Sequence, residues 1–133
     1  MIIGRYCLCI SDYDEIKQGE IFELGNTYCR DVITKKLTMT YDDVAEITEM
    51  LKHPCYRNTQ LRAYIATPLL INNRIWGTLN FSSLKPKQPA FTQADYQYVE
   101  SLALRVSHYL RTESILDAET AVTNSSAPEY SVP

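Results

Sequence analysis

The sequence predicts an α+β fold: a mostly antiparallel sheet with flanking helices and a long C-terminal helix. Three observations carry this. Residues 61–84 form two apolar runs that meet at Asn72-Asn73, two residues that tolerate the positive φ angles of a tight hairpin turn. Residues 5–12 alternate, with Tyr6, Leu8 and Ile10 on one face and Arg5, Cys7, Cys9 and Ser11 on the other. Val99, Leu102, Val106 and Tyr109 or Leu110 recur at three- and four-residue steps late in the chain. Strands with helices between and after them predict segregated layers rather than alternating βα units.

The elements follow in order. After the first strand, Asp12–Gly19 is polar and is expected as a loop, and Ile21–Leu24 as a short extended piece ending at Gly25. Asn26 and Thr27 can cap a short helix reaching about Ile33. Leu37–Tyr41 is a short strand. Asp42 or Asp43 is expected to cap a helix through Leu51, which Pro54 ends. Residues 53–60 are expected as a loop, followed by the hairpin and the stiff loop Lys85-Pro86-Lys87-Gln88-Pro89. Thr92, with Asp95 three residues on, caps the final helix, which reaches about Leu116. From residue 118 to 133 the composition is small, polar and Pro-rich, and disorder is expected.

At 133 residues and 45% hydrophobic, the chain fits one domain with enough apolar surface for a core. A net charge of −3 without a Lys/Arg cluster argues against nucleic acid as partner. No apolar run approaches membrane-spanning length, and the start lacks the apolar core of a signal peptide. A cytoplasmic location is expected, with Cys7, Cys9, Cys29 and Cys55 reduced. Cys7 and Cys9 share a strand face, but nothing else stands at zinc-site spacing.

An uninterrupted hairpin from Asn72-Asn73 divides the side chains between two faces. One carries Tyr64, Ala66, Pro68, Leu70, Ile75, Gly77, Leu79 and Phe81, and suits a helix-packing core. The other carries Ala63, Ile65, Thr67, Leu69, Trp76, Thr78, Asn80 and Ser82. On that second face Thr67, Thr78 and Asn80 need polar partners from water, a covering loop or a ligand. Mixed walls of this kind suit a small-molecule pocket. Pro68 inside a strand marks an edge or a bulge.

Several blocks together resemble a GAF domain of the branch found in bacterial sensory histidine kinases and diguanylate cyclases. They are Leu24-Gly25-Asn26-Thr27-Tyr28-Cys29-Arg30, His53-Pro54-Cys55-Tyr56, the hairpin with Gly77-Thr78-Leu79-Asn80-Phe81-Ser82-Ser83, and Pro89-Ala90-Phe91-Thr92-Gln93-Ala94-Asp95. In order, they cover residues 5–111. The resemblance implies a profilin-like three-layer domain over residues 1–117, with the usual N-terminal helix and first strand missing. It also implies a small molecule bound between sheet and helix-loop cover, and signalling through paired C-terminal helices of a homodimer. The expected ligand-binding residues are Tyr28, Cys29, His53 and Tyr56 from the matching blocks and Thr67, Trp76, Thr78 and Asn80 from the second hairpin face, with no catalytic residue and no metal. The ligand itself stays unidentified. No Cys precedes a His as in covalent bilin binders, and the cyclic-nucleotide signature is absent. Two alternatives stay open: a ligand-free dimerisation domain, and a thiol-based reductase of free methionine sulfoxide using Cys29 and Cys55. His108 is expected as a surface or helix-interface residue.

Overall fold

The computed structural model describes residues 6–11 and 22–124, with side chains over 22–113. The facing of Cys7 and Cys9, the loop over Asp12–Gly19 and the tail from residue 125 lie outside the described residues. The elements are β1 (Tyr6–Ser11), α1 (Cys29–Lys35), β2 (Met39–Tyr41), α2 (Pro54–Thr59), β3 (Ala63–Ile71), β4 (Arg74–Ser83) and α3 (Gln93–Asn124). The sheet order is β1-β4-β3-β2, antiparallel except for β1 beside β4. The predicted α+β class, sheet and long C-terminal helix are all present.

The hairpin turns where its sequence says it should. Asn72 and Asn73 have φ of 53° and 63°, the pair of left-handed conformations of a type I′ turn. Asn73→Ala is expected to destabilise the fold by about 1 kcal/mol, whereas Asn73→Gly should leave it unchanged or slightly more stable. Urea unfolding of the two variants checks this.

Past the turn the register departs from the expectation. Ile71 pairs with Arg74 and Leu70 with Ile75, but Leu69 pairs with Gly77. Trp76 is therefore an extra residue in β4. A one-residue insertion transfers every later β3 partner to the other face. Thr78 stands opposite Pro68, Asn80 opposite Ala66 and Ser82 opposite Tyr64, while Leu79 stands opposite Thr67. Leu79 and Phe81 face α3 as predicted, in a core with Leu69, Ala103, Leu102, Val106 and Leu110. Thr67 and Leu69 join them on that face, and Tyr64 and Ala66 join Thr78 and Asn80 on the opposite one. For β3 the predicted faces are thus exchanged. Trp76 also packs into the α3 core rather than the covered face.

The covering segment differs as well. The single helix expected from Asp42 or Asp43 to Leu51 is two 3₁₀ turns, Val44–Glu46 and Thr48–Lys52, broken at the extended Ile47. Asp43 caps the first turn by accepting from Ala45 N at 3.0 Å, and its carboxylate also receives a two-pronged Arg62 guanidinium at 2.8 and 2.6 Å. Its neighbour Asp42 accepts Phe91 N on its carboxylate and Lys87 N on its carbonyl, each at 2.8 Å. Residues 53–60, expected as a loop, hold α2. Pro54 opens that helix because a fixed φ and a missing N–H suit the first helical position.

Helix α1 starts at Cys29, later than expected, and Thr27 bonds back to Leu24 O at 2.9 Å instead of capping it. Thr92 and Asp95 do form the expected reciprocal cap of α3. That helix runs to Asn124, past the expected end near Leu116.

Candidate functional site

Helix α1, the two 3₁₀ turns and α2 roof the sheet face that carries Tyr64, Ala66, Thr78 and Asn80. Beneath them Tyr28, Cys29, Val32, Val44, Leu61, Tyr64 and Ala66 form one buried core, with Tyr41, Met50, Cys55 and Tyr56 packed at its margin. Tyr28 is its centre. The ring makes edge contacts with Tyr41 and Tyr64 at 5.7 and 5.2 Å and a tilted one with His53 at 5.1 Å. Its hydroxyl donates to Leu61 O at 2.9 Å. Tyr41 and Tyr64 are direct partners across β2 and β3, so they stack on this face.

The polar groups of the sheet meet the roof at Cys29. Its sulfur accepts from Tyr64 Oη at 3.2 Å and from Asn80 Nδ2 at 3.4 Å. Asn80 Nδ2 also lies 3.5 Å from Thr78 Oγ1. Asn80 is 2% exposed and Thr78 fully buried. The roof partner of the sheet's amide is thus the first residue of α1 rather than the 53–60 segment.

His53 caps α2 through Nδ1, which accepts from Cys55 N at 3.1 Å. A ring nitrogen that accepts carries no proton, so the neutral imidazole holds its proton on Nε2. Nε2 is buried and has no hydrogen-bond partner among the described residues. Burial, then the nearby Arg30 charge, hold the His53 pKa below the ordinary 6.5, with Asp31 opposing. Burial raises the Cys55 thiol and the Tyr28 phenol, and burial followed by Asp31 raises Tyr41. The Cys55 thiol, the imidazole and the phenols are therefore neutral at pH 7. They can exchange hydrogen bonds, but the Cys55 thiol is poorly disposed to act as a thiolate nucleophile. Among the described residues no cluster of His, Cys, Asp and Glu could hold a metal ion.

A pH dependence follows. Between its lowered folded pKa and 6.5, His53 binds fewer protons when folded than when unfolded, so stability rises with pH there. The contribution is full above the unfolded value and is lost as pH falls from 6.5 through the folded value. Melting temperatures measured from pH 8 to pH 5 should fall in that window, and the fall should be shallower in His53→Asn. Asp43 and Asp95, whose pKa values are lowered by Arg62 and by the Thr92 amide, act only at lower pH.

Of the sequence-predicted site residues, the structure gathers Tyr28, Cys29, His53, Tyr56, Thr78 and Asn80 around one covered face. Thr67 and Trp76 are not among them. Thr67 lines a separate groove of about 400 Å³ beside α3, with Leu37, Leu70 and Leu104. There its hydroxyl is 2.9 Å from Thr38 Oγ1, which donates to Glu100 at 2.7 Å. Tyr41 and Tyr64 were missed. The period-two signal that places Tyr64 with Asn80 was present, but only for a bulged strand.

An antiparallel hairpin is roofed by short helices and backed by a long C-terminal helix, and the GAF domain profile matches residues 6–110. The chain belongs to the GAF domain family. No curated protein matches it. GAF domains are generally regulatory, small-molecule-binding modules, and the covered face lies within the matched span. No helix among the described residues is long and apolar enough to cross a membrane.

Proposed function

We propose that this GAF domain is a non-catalytic sensory module that binds a small molecule between the sheet and its roof, using Tyr28, Cys29, His53, Tyr56, Thr78 and Asn80. The observation that carries the reading is the polar seam under the roof. Cys29, Asn80 and Thr78 are buried among aromatic walls, and the roof is made of short elements with a spare donor on His53. Short 3₁₀ and α pieces have few internal hydrogen bonds and open at low cost. The blocks that resemble the bacterial kinase and cyclase branch extend the proposal to a cytoplasmic two-component or second-messenger setting.

Output would pass through α3 to a second copy. Tyr98 and Tyr109 fall on one face of that helix and are 64% and 63% exposed, which supports pairing. The test is a thermal-shift screen against nucleotides, amino acids and organic acids, with light scattering for the oligomeric state. A ligand present well above its Kd raises the melting temperature. A monomer at every concentration would remove the pairing step.

A second reading is favoured by the three tyrosine rings, which fill the space beneath the roof. In it the domain dimerises without a ligand. A dimer that no compound stabilises would decide for it.

A further inference from the structure

We infer that His53 Nε2–H is the anchoring donor of the small-molecule site and takes a carboxylate oxygen of the ligand, with the positive charge of Arg30, two residues on from the Tyr28 that packs against the imidazole, to complement it. The inference rests on the small-molecule reading above and names its ligand class.

The imidazole is preorganised. Cys55 N fixes its tautomer and orientation through Nδ1, so the remaining donor has one direction to offer. Donors buried without an acceptor are rare in native proteins and call for an explanation such as a ligand or an ordered water. Other polar groups around it are already engaged. Tyr28 Oη donates to Leu61 O, Tyr64 Oη to Cys29, and Tyr41 Oη to Asp31 at 3.3 Å. What is lacking at His53 is an acceptor.

Arg30 selects the kind of acceptor. Its side chain is 52% exposed and its ion pair among the described residues, to Asp31, is a long 3.7 Å. Arg30 stands two residues on from Tyr28, whose ring packs against the imidazole, and its charge, opposed by Asp31, helps hold the His53 pKa down. One neutral donor and one loosely held guanidinium suit the two oxygens of a carboxylate. Asp31, the acidic group alongside, is partly neutralised by Arg30 and by the Tyr41 hydroxyl. The Tyr28 ring, 5.1 Å from the imidazole, offers an apolar wall for the body of a small organic acid.

The test uses the full chain with ¹⁵N-labelled histidine, titrated with benzoate, 4-hydroxyphenylacetate and benzamide while the His53 Nε2 signal is followed. The carboxylates should shift that signal saturably at millimolar concentration and raise the melting temperature. Benzamide should do so at least tenfold more weakly. His53→Asn retains an acceptor for the Cys55 amide and should abolish the stabilisation, and Arg30→Ala should weaken carboxylates at least tenfold. A His53 signal unmoved by every probe overturns the inference, as does equal binding by His53→Asn or equal affinity for benzoate and benzamide. A free-protein signal displaced by ring current and unresponsive to all probes would name the Tyr28 ring as the partner and also overturn it. If another compound raises the melting temperature while His53 stays silent, this inference fails but the small-molecule reading stands.

Discussion

Tyr28→Ala is expected to destabilise the domain by about 3–5 kcal/mol, the cost of emptying a buried aromatic site. For a chain of this length that lowers the melting temperature on the order of 10–20 °C. Tyr28 is 2% exposed and touches three other rings, so the walls of the vacated space are Tyr41, Tyr64 and His53. They are large, and anchored in the strands or by the α2 cap, and cannot close over the void. Tyr28→Phe separates packing from bonding. It keeps the ring and removes only the donor to Leu61 O, so about 1–2 kcal/mol should be lost. If Tyr28→Phe cost as much as Tyr28→Ala, the hydroxyl rather than the ring would be the support. Urea titrations of both variants measure the difference.

Leu69→Ala should cost about 2–5 kcal/mol, and Leu70→Ala within about 0.5 kcal/mol of nothing. The two residues are adjacent in sequence and differ completely in environment. Leu69 is fully buried against Leu79 and Ala103, whereas Leu70 is 49% exposed at the groove beside α3. This pair tests the bulge directly, because the uninterrupted hairpin places Leu69 on the polar face and Leu70 in the core. Similar costs for both would contradict the insertion at Trp76.

That bulge also separates what could be read in the sequence from what could not. The strands, their turn and the facing of β4 beyond Trp76 were legible, because period-two alternation and the two asparagines are local signals. Leu79 and Phe81 against the helix, and Thr78 and Asn80 against the roof, follow from β4 alone. The facing of β3 depends on which strand carries an extra residue. Pro68 and Gly77 advertise an irregularity without saying where the residue is inserted, and a shift of one exchanges every pair. Thr67 and Trp76 were placed in the site for that reason.

The roof was obscured by distance. Asp43 has the chemistry of a helix cap, and it does cap, but only a 3₁₀ turn, while also holding an arginine 19 positions away. Pro54 can stop a helix or begin one, and the choice turned on His53 bonding forward to Cys55. Of the six site residues that converge, Tyr28, Cys29, His53 and Tyr56 come from short blocks of sequence resemblance, and Thr78 and Asn80 from the alternation of β4.

The two aspartates at the head of the roof tie together three parts that are far apart in sequence. Asp42 grips the segment that leads into α3, through the amides of Lys87 and Phe91, and Asp43 grips Arg62 at the root of β3. The roof is therefore tethered at its leading end to the base of the long rod. A guest that lifts the segment from Val44 onward must either break those anchorages or pull on the 87–91 stretch that launches the rod. Displacement at the covered face then has a mechanical route to the far helix that bypasses the β-sheet.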